Sequence, residues 1–188
     1  MPTPNHDALA FLSARRSHPP KLLKGDPPSR DDLLALLQTA ARVPDHGKLE
    51  PWRFIVLERE TLDRLAPEIA AYVASTGGDD AAQGKARSAF ASPLIVAVVS
   101  SPVESAKIPE WEQFLSAGNV ALSLVNAALA SGYGAAWLTG PGAQPEFAQK
   151  HLGVKPAERV VALVHIGQND SAPPDRPRPN IDEKTSFL

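Results

Sequence analysis

No cysteine occurs in this chain, which excludes disulfides, thiolate zinc sites and cysteine nucleophiles together. No sign of charge dominates: 19 Lys and Arg stand against 21 Asp and Glu, a formal net charge of -2. Near-cancellation excludes wholesale non-specific nucleic-acid binding, which needs a basic face to neutralise phosphates. It also argues against a chain held unfolded by self-repulsion. No apolar run approaches the roughly 20 residues of a membrane helix. The opening residues 1–7 are polar and lack the apolar centre of a signal peptide, so the expected location is cytoplasmic. The five histidines show no metal-ligand spacing, and no metal site is expected. G-x-G-x-x-G, Walker A, H-E-x-x-H and G-x-S-x-G patterns are all missing, as is any internal repeat.

What is present suits one core. The 188 residues, 43% of them hydrophobic, are expected to form a single domain over 1–188. The 19 prolines cluster near the two ends. Pro cannot donate to a helix or sheet ladder, so those stretches are expected to be extended connections.

Between them, local patterns predict alternating elements. Residues 7–16 carry Ala8, Leu9, Phe11 and Leu12 and fit a short helix. Ser29 with Asp32 reads as a capping box, followed by an apolar stripe of Leu33, Leu34, Leu36, Leu37 and Ala40 that ends by Val43, before Pro44. Residues 54–57 read as a strand, and 61–74 as a helix bent near Pro67. Pro93 precedes a β-branched run over 94–99, expected to be buried on both faces. Residues 112–130 form a long helix rich in small residues, almost apolar after Phe114. A helix with so little polar face is expected to be central or at a subunit interface. Residues 135–138 and 159–166 are further strands. About four strands and five helices leave the class as α+β or α/β, with helices covering a central sheet.

Three clusters could carry chemistry. Arg15, Arg16 and Ser17 suit a phosphate, since guanidinium forks and a hydroxyl give charge-assisted donors; cations at a helix C-terminus also have a purely structural use. Residues 42–52 place Arg42, His46 and Lys48 on a non-helical path between two prolines, where either a site or a structural turn would sit. Asp45 and His46 are adjacent and poorly placed to form a hydrolytic pair. In residues 132–140, small residues permit close approach of a flat ligand or a second backbone. Trp137 could stack there and Thr139 hydrogen-bond an edge.

Taken in order, the clusters resemble the nitroreductase family of flavin enzymes, and its small, minimal branch in particular. The matching residues are Arg15-Arg16-Ser17; residues 42–48 running into Pro51-Trp52-Arg53-Phe54; Lys85-Ala86-Arg87 ahead of Ser92-Pro93-Leu94-Ile95-Val96; Pro109-Glu110-Trp111-Glu112-Gln113; and residues 134–140. They cover nearly the whole chain. The resemblance implies an α+β three-layer sandwich, a central mostly antiparallel sheet flanked by helices, in a homodimer with FMN at the subunit interface. Arg15, Arg16 and Ser17 would hold the flavin phosphate and ribityl chain. Arg42 and His46 would also contact the flavin, some contacts coming from the partner subunit. Trp137, Leu138 and Thr139 would lie beside the isoalloxazine ring. Arg176 or Arg178 would reach the phosphate, with Arg178 preferred.

The implied activity is an FMN-dependent oxidoreductase, a flavoprotein using NADH or NADPH to reduce nitroaromatics or quinones by alternating hydride transfer. No catalytic side chain is expected, because the flavin carries the chemistry. A flavin reductase with another acceptor, and a non-catalytic flavin-binding homodimer, are the alternatives. Where larger relatives carry a Ser- or Asn-containing stretch, this chain has Asp45-His46-Gly47-Lys48. It also lacks the helical insertions that cover their sites, so an open pocket is expected.

Overall fold

In the computed structural model, which describes residues 3–171 and 173–188, Ser29 Oγ accepts the Asp32 amide at 3.2 Å and donates to the Asp32 carboxylate at 2.7 Å. The first two residues of the polar opening segment and Ala172 lie outside the described residues. The capping pair starts helix α2 (Arg30–Ala40), whose Leu33, Leu36 and Ala40 are buried. Helix α1 (His6–Ala14) begins the same way, with the Asn5 side chain accepting the Ala8 amide, yet it buries none of its residues. The other helices are α3 (Arg59–Ser75), which carries Pro67 inside it, α4 (Asp80–Ala89), α5 (Glu110–Ala130) and α6 (Pro145–Leu152). Helices α4 and α6 were not among the elements expected from the sequence, although the Asp79 side chain caps the first by accepting the Ala82 amide and left-handed Gly153 ends the second.

Four strands, β1 (Trp52–Leu57), β2 (Leu94–Ser100), β3 (Gly134–Leu138) and β4 (Arg159–Gly167), form one sheet in the order β1-β2-β4-β3. Every pairing is antiparallel. The β-branched run is the central strand β2, buried at all seven positions. Its alternate residues serve two separate cores. Leu94, Val96 and Val98 pack with α2 and α5, while Ile95, Ala97 and Val99 pack with α3, α4 and α6. The architecture is therefore α+β in three layers, helices on both faces of an antiparallel sheet.

Helix α5 is central, as its composition led one to expect, and it also keeps an apolar face exposed. Val120, Ala121, Leu124 and Ala128 are buried in the core, whereas Trp111, Phe114, Leu115 and Leu122 stay exposed. The expectation of no membrane-length run needs one correction: α5 is long and apolar enough to reach that threshold by length and composition. Half of that stretch is buried inside the fold.

Candidate functional site

Helix α1 stops because Arg15 leaves helical geometry (φ -58, ψ 139) while its amide still donates to Phe11 O. The extended residues 15–17 are then tied down at His18, whose amide donates to Ala135 O at 2.9 Å. That bond lies on the edge of β3 away from β4. Outward-facing backbone groups alternate along an antiparallel strand, so the Trp137 amide and carbonyl face the same open edge. Gly134 permits the approach: a Cβ there would stand 2.6 Å from the Leu23 side chain and 2.9 Å from the His18 ring. Asn169 Nδ2 meets His18 Nδ1 at 2.9 Å. Burial lowers the His18 pKa, which suits a neutral ring accepting that bond.

The C-terminal segment closes over these arginines. A cavity of about 290 Å³ is lined by Arg15, Arg16, Ser17, Asp175, Arg176 and Arg178, with prolines between them. Arg15 Nε is buried and has no hydrogen-bond partner among the described residues. A buried unpaired donor on a guanidinium is costly unless an acceptor arrives. Arg16 Nε donates to Asp175 Oδ1 at 3.1 Å, and Arg178 Nη2 donates to the same oxygen at 2.8 Å. The Arg16 guanidinium holds the Asp175 carboxyl down at about 2, helped by the Arg176 amide. Both Arg176 and Arg178 line the cavity.

The loop after α2 builds a second wall elsewhere on the chain. Gly47, Lys48 and Glu50 adopt positive φ of 73, 54 and 48 degrees, and the two non-glycine residues are strained by about 1–3 kcal/mol each. Four contacts offset that strain. Asp45 accepts the Leu49 and Glu50 amides at 3.2 and 2.9 Å. Ser116 Oγ donates to Pro44 O at 2.6 Å, and His46 Nδ1 donates to Glu112 Oε2 at 2.8 Å. Residues 46–48 make a tight turn whose Gly47 (φ 73, ψ 5) lies outside helical geometry, so the path between the prolines is non-helical as expected. Asp45 and His46 point to different partners, which removes the hydrolytic pair. A cavity of about 440 Å³ beside this loop is lined by Val43, Asp45, Lys48, Glu50, Trp52 and Phe54.

The structure thus brings Arg15, Arg16, Ser17 and Arg178 together and places Arg42 and His46 on the separate loop. Trp137, Leu138 and Thr139 are exposed at the end of β3, with the Trp137 indole approaching Gly118 of α5. Sequence reasoning missed Asp175, Glu112 and Asn169. Each meets its partner across 66 positions or more, a separation no local pattern records.

Residues 12–168 match the sequence profile of the Nitroreductase family. The protein named "Putative NAD(P)H nitroreductase YdjA" from Escherichia coli (strain K12) is 34% identical over 162 residues, 86% of this chain and 87% of that protein. A nitroreductase-like family protein from Bacillus cereus superposes with a TM-score of 0.79 at 22% identity, covering 100% of this chain and 98% of the other. A mutant of NfnB, an FMN- and NADPH-dependent nitroreductase from Sphigopyxis sp. strain HMH, superposes with a TM-score of 0.77 at 19% identity, covering 96% and 98%.

Proposed function

Because this chain belongs to the nitroreductase family, we propose that it is an FMN-binding, NAD(P)H-dependent oxidoreductase that reduces nitroaromatic or quinone acceptors. The observation that carries the reading is the buried Arg15 Nε without an acceptor, in a cavity whose other walls supply Arg16, Ser17, Arg176 and Arg178. That donor set fits a phosphate dianion. Burying such a group without cations is prohibitive, and planar guanidinium forks match its oxygens. The FMN and NADPH dependence of NfnB agrees with that fit.

Bound FMN would supply the electron relay, taking hydride from NAD(P)H and delivering it to an acceptor that uses the same space in turn. The chain's own residues do the rest. Arg15, Arg16 and Ser17 hold the phosphate end, with Arg178 closing from the C-terminal segment. The open edge of β3, with the Trp137 backbone and the Trp137, Leu138 and Thr139 side chains, orients the ring. Arg42 and His46 reach the flavin from the partner subunit, His46 held in place by Glu112. No side chain here is assigned as an obligatory acid. The exposed apolar faces of α1 (Leu9, Leu12) and α5 (Trp111, Leu115, Leu122) form the two-fold interface that completes both sites.

An absorption spectrum of the purified protein, with the released chromophore identified, tests the cofactor. Rapid mixing with NADH and with NADPH tests the activity. A yellow protein bleached by either nucleotide and recoloured by a quinone supports the reading; a colourless protein that takes up no added FMN overturns it.

A further inference from the structure

Asp175 sits where an anion would. A single oxygen, Oδ1, receives three donors: Arg16 Nε at 3.1 Å, Arg178 Nη2 at 2.8 Å and the Arg176 amide at 2.9 Å. Two guanidinium donors and a backbone N–H converging on one oxygen is the coordination a phosphate oxygen takes. The carboxylate lies in the wall of the same cavity as Arg15 and Ser17. Prolines at 173, 174, 177 and 179 stiffen the segment, because each fixes its own φ. The carboxylate is therefore presented on a short rigid strap.

The contact is also exchangeable. The Asp175 side chain is 57% exposed and that of Arg178 58%, and ion pairs so open to water are weak. Meanwhile the more deeply placed Arg15 Nε has no partner among the described residues. A single carboxylate satisfies only the outer arginines.

We infer that Asp175 is a built-in competitor for the flavin phosphate: its carboxylate occupies the Arg16–Arg178 pair in the empty site and gives way when a phosphate enters. This rests on the FMN reading above and deepens it, because it sets how tightly a phosphorylated ligand is held. A phosphate dianion brings more charge and more acceptor oxygens than the carboxylate and also satisfies Arg15. A flavin without a phosphate cannot displace Asp175 at all. The strap thereby raises the threshold for phosphate entry and narrows the margin by which FMN is preferred over riboflavin.

The test is a titration of flavin-stripped full-length protein, wild type and Asp175→Asn, with FMN, with riboflavin and with inorganic phosphate as competitor, at fixed low ionic strength. Removing the competing charge should tighten FMN binding by about fivefold or more, the scale of one freed charge-assisted donor. Riboflavin affinity should stay within about twofold, since it lacks the group Asp175 competes with. Phosphate should compete with FMN at lower concentration in the variant, and Asp175→Ser should move in the same direction. If wild type prefers FMN to riboflavin but Asp175→Asn binds FMN equally or more weakly, the carboxylate does not compete, and the inference falls while the flavin reading stands. If wild type shows no preference for FMN and phosphate does not compete, the phosphate site itself is wrong, and both fall.

Discussion

Arg53 and Glu158, 105 positions apart, form a two-pronged ion pair, Nε to Oε1 at 2.8 Å and Nη2 to Oε2 at 2.7 Å. The Glu158 side chain is only 3% exposed. It also accepts from Ser101 Oγ and the Lys155 amide, so every lone pair facing the protein is used. The pair clips β1, an edge strand, to the loop that leads into β4.

Glu158 makes stability depend on acid. The Arg53 guanidinium pulls its pKa from the ordinary 4.5 to about 2. The charged form is favoured in the folded state, so the stabilisation is complete above about pH 4.5 and is lost as pH falls toward 2. Arg53→Ala should destabilise the protein by about 3 kcal/mol, because it strands a buried carboxylate. Urea melts at pH 7 and pH 3 check this: the penalty should shrink at the lower pH.

His165 acts earlier in the same titration. Its Nδ1 is 2.8 Å from Ser92 Oγ inside the core, and burial lowers its pKa from 6.5 to about 4. The folded state keeps the ring neutral while the unfolded chain takes up a proton. Stability is therefore complete above pH 6.5 and declines as pH falls to about 4, with no further loss below. The decline should be about 3 kcal/mol. Denaturant midpoints of His165→Gln followed from pH 7 to pH 4 should show a flatter profile than wild type.

Arg15→Ala should weaken FMN binding by more than about tenfold, as expected for a lost charge-assisted bond. Riboflavin binding should barely change. Parallel fluorescence titrations of the two flavins separate a phosphate ligand from a residue that merely supports the fold.

The exposed faces of α1 and α5 should make the protein a dimer at micromolar concentration by sedimentation. Leu122→Lys buries a charge in that interface, and the variant should sediment as a monomer that has also lost most of its flavin affinity. A monomeric variant that keeps full FMN affinity would place the complete site within one chain.

The elements read from sequence were those with a strong local signal. The Ser29–Asp32 cap, the β-branched run of β2 and the small-residue helix α5 each declare themselves within a few turns of chain. Helices α4 and α6 were not read, because α4 follows a Gly-Gly-Asp-Asp stretch that also suits a loop and each is short, with only 10 and 8 residues. The site divides in the same way. Arg15, Arg16 and Ser17 stand out as neighbours in sequence, but Glu112 is a first-turn acid of α5 until folding sets it against His46.

By itself, the sequence determined the four strands and helices α1, α2, α3 and α5, that β2 lies between two apolar layers, and that guanidinium groups cluster where α1 ends. These follow from side-chain periodicity, caps and prolines, which act over a handful of bonds. Only the tertiary structure decided that Asp175 closes on Arg16 across 159 positions, that Glu158 waits for Arg53, and that Arg15 is left with a buried, unanswered donor. Such meetings depend on how antiparallel pairing returns distant segments to one place, and no short-range pattern in the chain encodes where they land.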